Sequence, residues 1–249
     1  MAGAGLMLSA VHPLTKLVIC LLWVAASILV FSASLQLFII GTAVFVLVLL
    51  ERRSPLMVMA LMVPFALFGF GFLTTSVLFR QESDFALQMA REAPLGSEAL
   101  SAGVVLFLRA IACGMASAVF VLTTDPGAFV KALMVNWRLS PRIGYALFSA
   151  LQLVPDLAAE AQQVRLARSM KAGRPPRRVP GPLETASLVI PLLAFAIRRA
   201  SRAAVALEAR GLSAGRPRTV IGAPVFGRSD IAFGAMALAL LVVALVVVA

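Results

Sequence analysis

Two short stretches hold the residues best placed to do chemistry: Ala167-Arg168-Ser169 and Ala209-Arg210-Gly211. Each begins a nine-residue repeat. Ala167-Arg168-Ser169-Met170-Lys171-Ala172-Gly173-Arg174-Pro175 returns 42 positions later as Ala209-Arg210-Gly211-Leu212-Ser213-Ala214-Gly215-Arg216-Pro217, with six of the nine positions identical. An arginine in the last turn of a helix complements the helix dipole, and its planar guanidinium grips carboxylates in a bidentate fashion. The Gly and Pro that follow are helix-stop signals. The pattern predicts two helix endings of one design, presented to two similar surfaces.

Little else in the chain suggests reactivity. His12 is the only histidine, and a lone histidine is more often structural than catalytic. No nucleotide-binding glycine loop, paired-cysteine motif or zinc-helix motif occurs. Cys20 and Cys113 lie inside apolar runs and read as small buried hydrophobes. No catalytic residue, cofactor or metal site is therefore expected in this chain.

These stretches belong to a membrane protein. Hydrophobic residues make up 61% and charged residues 13%, with a mean hydropathy of +0.99; a soluble domain has about half and a quarter, respectively. Residues 1–10 lack the positive charge of a cleavable signal peptide. Five runs are long and apolar enough to cross about 30 Å of hydrocarbon as helices: 14–31, 35–50, 55–79, 99–123 and 231–249. The second is short, and Pro64 with Gly69 and Gly71 predicts a kink in the third. No acidic residue lies within the runs, which argues against a proton- or cation-relay transporter. Arg109 does lie within the fourth, and an intramembrane arginine either serves function or pairs with a nearby carbonyl.

Charge sets the expected orientation. Residues 125–228 hold 16 Lys+Arg and 5 Asp+Glu, and the remainder holds 6 and 6. The positive-inside rule puts the N-terminus, the Arg52-Arg53 turn and 125–228 in the cytoplasm, and five crossings put the C-terminus outside. The expected organisation is a four-helix transmembrane region (1–124), a basic cytoplasmic region (125–228) and a last transmembrane helix (229–249).

The basic region is patterned as helices. Asp125-Pro126 starts a short one to about Trp137, and Ser140-Pro141 starts a long one to about Ala172, bent at Pro155. A third runs from Leu183 to Gly211, with Ala196, Ala200 and Ala204 forming a small-residue stripe on which two helices can cross closely. Sparse aromatics point away from nucleic acid. Arginine-rich interfacial helices also bind anionic lipid, which explains the charge and leaves the duplicated ending without a purpose.

Taken together, these stretches resemble the transmembrane T component of energy-coupling factor transporters, ATP-driven importers of vitamins and transition-metal ions such as cobalt or nickel. Ala167-Arg168-Ser169 and Ala209-Arg210-Gly211 match that family's two coupling motifs in order and spacing. His12-Pro13-Leu14-Thr15-Lys16-Leu17 is similar to its usual Asp-Pro-x-Thr-Lys start, with His in place of Asp. Thr123-Thr124-Asp125-Pro126 is similar to the segment before its first coupling helix, with an extra acidic residue.

The resemblance implies an all-α membrane protein with long cytoplasmic amphipathic coupling helices, located in the bacterial inner membrane. Its partners would be two cytosolic ATPase subunits, each receiving one motif in a groove, and a small membrane-embedded substrate-binding S component. The partners, and not this chain, would bind and hydrolyse ATP and hold the substrate. The other readings are an interfacial lipid-binding anchor and a conventional ATP-driven permease; two motif ends in one chain favour the T component over the permease.

Overall fold

A computed structural model describes residues 11–78, 98–173, 181–212 and 220–248, and every regular element in them is helical. The helices are α1 (Pro13–Leu29), α2 (Ala33–Phe45), a π-helical turn (Val46–Leu50), α3 (Pro55–Leu78), α4 (Glu98–Thr123), α5 (Pro126–Asn136), α6 (Pro141–Ala172), α7 (Pro182–Ala209) and α8 (Arg228–Val248). Four are long and apolar enough to cross a membrane: α2 with its π turn, α3, α4 and α8. The first expected span, α1, is apolar but has only 17 residues, about 25 Å at 1.5 Å per residue. It ends early because Val30 turns extended and Ser32 caps α2, its hydroxyl accepting from the Leu35 N–H at 3.4 Å.

The chain divides into two compact units, Met1–Asp125 with Pro224–Ala249, and Pro126–Ala223. In the first, α4 is the hub, with α1, α2 and α3 packed on it and α8 packed on α1 and α2. Leu35, Ile39, Leu47, Ala112 and Met115 form the fully buried core. Glycine makes the closest approach possible: a Cβ at Gly69 of α3 would lie 3.0 Å from the Phe107 carbonyl, and one at Gly114 of α4 would strike the Phe65 ring. Gly69 thus serves close packing, and α3 runs unbroken through Pro64 to Leu78. A cavity of about 230 Å³ remains among α1, α2, α4 and α8, with Lys16, Thr42 and Thr123 among an otherwise apolar lining.

In the second unit, α5 packs on α6 and α6 on α7. As Ser140-Pro141 predicts, α6 opens with Pro at its first position, and it continues through Pro155 to Ala172. The alanine stripe behaves differently from expectation. Ala200 and Ala204 are exposed and Ala196 is half-buried, so most of the stripe is uncovered within this chain. Long polar side chains bridge the two helices: Arg165 to Glu184, Arg168 to Ser187 and Arg199 to Asp156.

Candidate functional site

The two motifs adopt different backbones. At the second, α7 ends at Ala209 with Arg210 as its cap. Gly211 is left-handed at φ 76°; its N–H donates to the Glu208 carbonyl at 2.8 Å, and the Leu212 N–H donates to the Leu207 carbonyl at 3.0 Å. This pair of bonds is the Schellman ending, which calls for glycine because a Cβ disfavours the left-handed region. At the first motif, Ser169 stands where Gly211 does and the helix continues one more turn. Gly173 (φ 61°, ψ 21°) then terminates it, its N–H facing the Met170 and Ser169 carbonyls. Ala167, Arg168 and Ser169 are therefore helical, whereas Ala209, Arg210 and Gly211 are the ending itself. Arg174 and Pro175 of the first repeat and residues 213–217 of the second, along with Arg177 and Arg178, lie outside the described residues.

Arg168 reaches across to α7, donating to the Ser187 hydroxyl at 2.5 Å and the Ser187 carbonyl at 3.0 Å. One turn earlier Arg165 pairs with Glu184 at 2.8 Å, and at the other end of the contact Arg199 pairs with Asp156. The helices are antiparallel: the twelve residues from Asp156 forward to Arg168 correspond to the twelve from Arg199 back to Ser187. The two motif arginines consequently sit at opposite ends of α7. Ser187 to Arg210 is 23 residues along the helix, up to about 35 Å. Both of these Arg168 partners are neutral, so its guanidinium retains its charge for an incoming carboxylate.

A second polar constellation lies in the membrane unit, where the sequence showed only separate motifs. His12, Lys16, Glu51, Thr123 and Asp230 are all buried there. The Lys16 ammonium donates to the Thr123 carbonyl at 2.7 Å, joining the His-Pro-Leu-Thr-Lys and Thr-Thr-Asp-Pro stretches. The His12 N–H donates to Asp230 Oδ1 at 2.6 Å, and Asp230 Oδ2 accepts from the Gly227 N–H at 2.7 Å. The Asp230 bond to Gly227 is the carboxylate half of a capping box at the start of α8.

His12 caps α1: its Nδ1 accepts from the Leu14 N–H at 3.2 Å, and its ring stacks 3.8 Å from Phe226. Burial pushes its pKa below the ordinary imidazole value, outweighing the opposing pull of Asp230 and the Pro224 backbone. Asp230 and Glu51 each lie just outside the core of an apolar run, so the sequence pattern does not single them out. An acidic residue at such a boundary beside an N-terminal Lys is the signal that would have found them.

Arg109 takes the carbonyl-pairing alternative. Its Nη2 donates to the Val30 carbonyl at 3.4 Å and its guanidinium carbon lies 4.0 Å over the Phe31 ring. Beneath it, Gln36 donates to the Ser27 carbonyl at 2.9 Å and accepts from the Ser27 hydroxyl at 2.7 Å. These groups satisfy the backbone of the link between α1 and α2 within an apolar bundle. Among the described residues, no group of three or more His, Cys, Asp or Glu side chains is arranged to hold a metal ion.

An all-helical bundle with four such apolar helices and a separate unit of basic helices defines a multi-pass membrane protein. The sequence model of CbiQ, described as cobalt transport protein, matches residues 6–221, and the chain belongs to that family. It is a membrane transport component of a kind that works in a multi-subunit transporter. The match covers α1 to α7 and stops short of α8. No curated protein matches the chain.

Proposed function

We propose that the chain is the T component of an energy-coupling factor importer, a scaffold that carries movement from two cytosolic ATPase subunits to a membrane-embedded substrate-binding subunit. The observation that carries this reading is the placement of Arg168 and Arg210 at opposite ends of α7, up to about 35 Å apart. One groove cannot receive both, and two ATPase subunits supply two. The ion-paired α6–α7 contact makes the pair a strut, so closure of the ATPases moves both ends together. ATP is bound and hydrolysed by those partners, and the family's description makes a cobalt ion the first substrate to test, held in the separate binding subunit. The charge partition puts 125–228 in the cytoplasm and the C-terminus outside; a reporter fused at Ala249 should give an extracytoplasmic signal, and a cytoplasmic one overturns the orientation.

The decisive experiment replaces Arg168 and Arg210 together with Glu. Each Glu sets a negative charge against an acidic groove and near a helix C-terminus. Uptake should disappear and ATPase subunits should no longer co-purify, while membrane insertion persists. The control, Arg177→Glu with Arg178→Glu, changes net charge equally outside both motifs. Equal loss of the ATPase subunits in the control would show that bulk charge, and not docking, holds the complex.

A further inference from the structure

We propose that the segment from His12 to Lys16 is the anchor for the coupling movement, because it fastens both places where the chain passes between its two units. The inference rests on the coupling function proposed above. The outgoing passage begins at Thr123, the last residue of α4, three residues before Pro126 opens the second unit. Lys16 holds its carbonyl at 2.7 Å. The returning passage enters the first unit at Pro224 and becomes α8 at Arg228. There Asp230 takes the His12 N–H on one oxygen and the Gly227 N–H on the other, and Phe226 stacks on the His12 ring. One turn of α1 therefore grips two passages separated by about a hundred residues of chain.

The grip is stiff for physical reasons. Lys16 is 5% exposed, His12 1% and Asp230 3%. A buried ammonium that leaves its carbonyl faces the mostly apolar cavity that Lys16 and Thr123 line, so displacing Thr123 is penalised. Glu51 and Asp230 both act on Lys16 electrostatically, which holds the ammonium in place from two further elements. Lys16 also sits at the C-terminal end of α4 and Asp230 in the first turn of α8, the ends of the helix dipoles that favour each charge. A pull arriving at residue 126 or 223 then moves α4 and α8 as rigid bodies, where loose helix ends would fray and absorb it. Lys16, His12 and Asp230 are positioning residues in this account.

The test uses the transporter co-expressed with its ATPase and substrate-binding subunits. Lys16→Met paired with Glu51→Gln removes the ammonium and one carboxylate together, leaving the local charge balance unchanged. Assembly and ATP hydrolysis should stay within about twofold of the parent, and cobalt(II) uptake per ATP should fall at least tenfold. Lys16→Arg, which keeps charge and donor, should recover most of the coupling. Unchanged uptake per ATP in the double variant overturns the anchor. Asp230→Asn keeps one acceptor and loses the other, and should give a similar uncoupling even where the Lys16 variant fails to accumulate; parental coupling in it also overturns the anchor. Hydrogen exchange on the isolated full chain separates this idea from the coupling function. Amides at 124–128 and 226–230 should exchange at least tenfold faster in Lys16→Met or Asp230→Asn, respectively, and unchanged protection in both sinks the anchor. If the parent chain recruits no ATPase subunits, the coupling function fails instead.

Discussion

Arg168 of α6 rests on Ser187 of α7, its guanidinium 2.5 Å from the hydroxyl and 3.0 Å from the carbonyl. One motif arginine thus braces the helix pair, while its counterpart Arg210 caps the end of α7. The two should respond differently to truncation. Arg168→Ala is expected to raise hydrogen exchange at 185–192 several-fold, and Arg210→Ala to leave it unchanged. Ser187→Ala removes the hydroxyl contact and spares Arg168. If Ser187→Ala weakens ATPase association as much as Arg168→Ala does, Arg168 acts by bracing and its docking role is wrong.

Gly211 and Ser169 occupy equivalent repeat positions in different conformations, so exchanging them tests what each backbone needs. Gly211→Ala forces a Cβ into the left-handed region at φ 76°, a penalty of about 1–2 kcal/mol. The α7 ending should loosen and ATPase association fall three- to tenfold. Ser169→Gly places glycine inside a helix and costs no more than about 1 kcal/mol. Its effect should be the smaller one, read as apparent affinity in a pull-down titration. An equal effect from both would mean that Ser169 is not helical in the assembled transporter.

Helix positions were legible because local chemistry dictates them: Ser140-Pro141 and Asp125-Pro126 announce α6 and α5, and the apolar runs announce α2, α3, α4 and α8. The link at 30–32 is not dictated locally. It depends on Gln36 and Arg109 both reaching back to the Val30 carbonyl, which are tertiary contacts. The alanine stripe is largely uncovered for a related reason. Spacing shows which residues share a face and does not show which face another helix will cover. The motif arginines stood out through repetition, whereas the Lys16–Thr123 and His12–Asp230 contacts join residues 107 and 218 positions apart and leave no local trace.

His12 makes stability pH-dependent in a defined direction. Its pKa is lowered in the folded chain, so the unfolded chain binds its proton more readily. The stabilisation from the neutral, capping imidazole is complete above about pH 6.5 and is lost as pH falls through that value toward the folded pKa. As the only histidine, His12 is the only side chain whose ordinary pKa lies in that window. The midpoint of thermal unfolding in detergent should therefore drop between pH 7.5 and pH 5.5. His12→Asn retains an acceptor for the Leu14 N–H without titrating, and its midpoint should change less over the same range. A slope equal to the parent's would assign the effect elsewhere.

Arg109 should prove to be a structural residue of the link between α1 and α2. Lys16 to Val30 and Arg109 to Thr123 are each fourteen residues, about 21 Å along their helices, and the contacts at both ends align α1 with that part of α4. The link therefore meets α4 partway along its length, and α4 continues beyond it from Arg109 back to Glu98. A helix end at that depth exposes carbonyls to an apolar layer, where each unsatisfied group is costly. Arg109 covers the Val30 carbonyl and lies against Phe31, a cation–π contact worth about 0.5–2 kcal/mol. Arg109→Leu should lower the thermal midpoint by several degrees, and Phe31→Leu by less. In both, uptake per correctly folded transporter should stay near the parental value, because the arginine supports a turn. Loss of uptake in Arg109→Leu at unchanged thermal stability would return Arg109 to the list of transport residues.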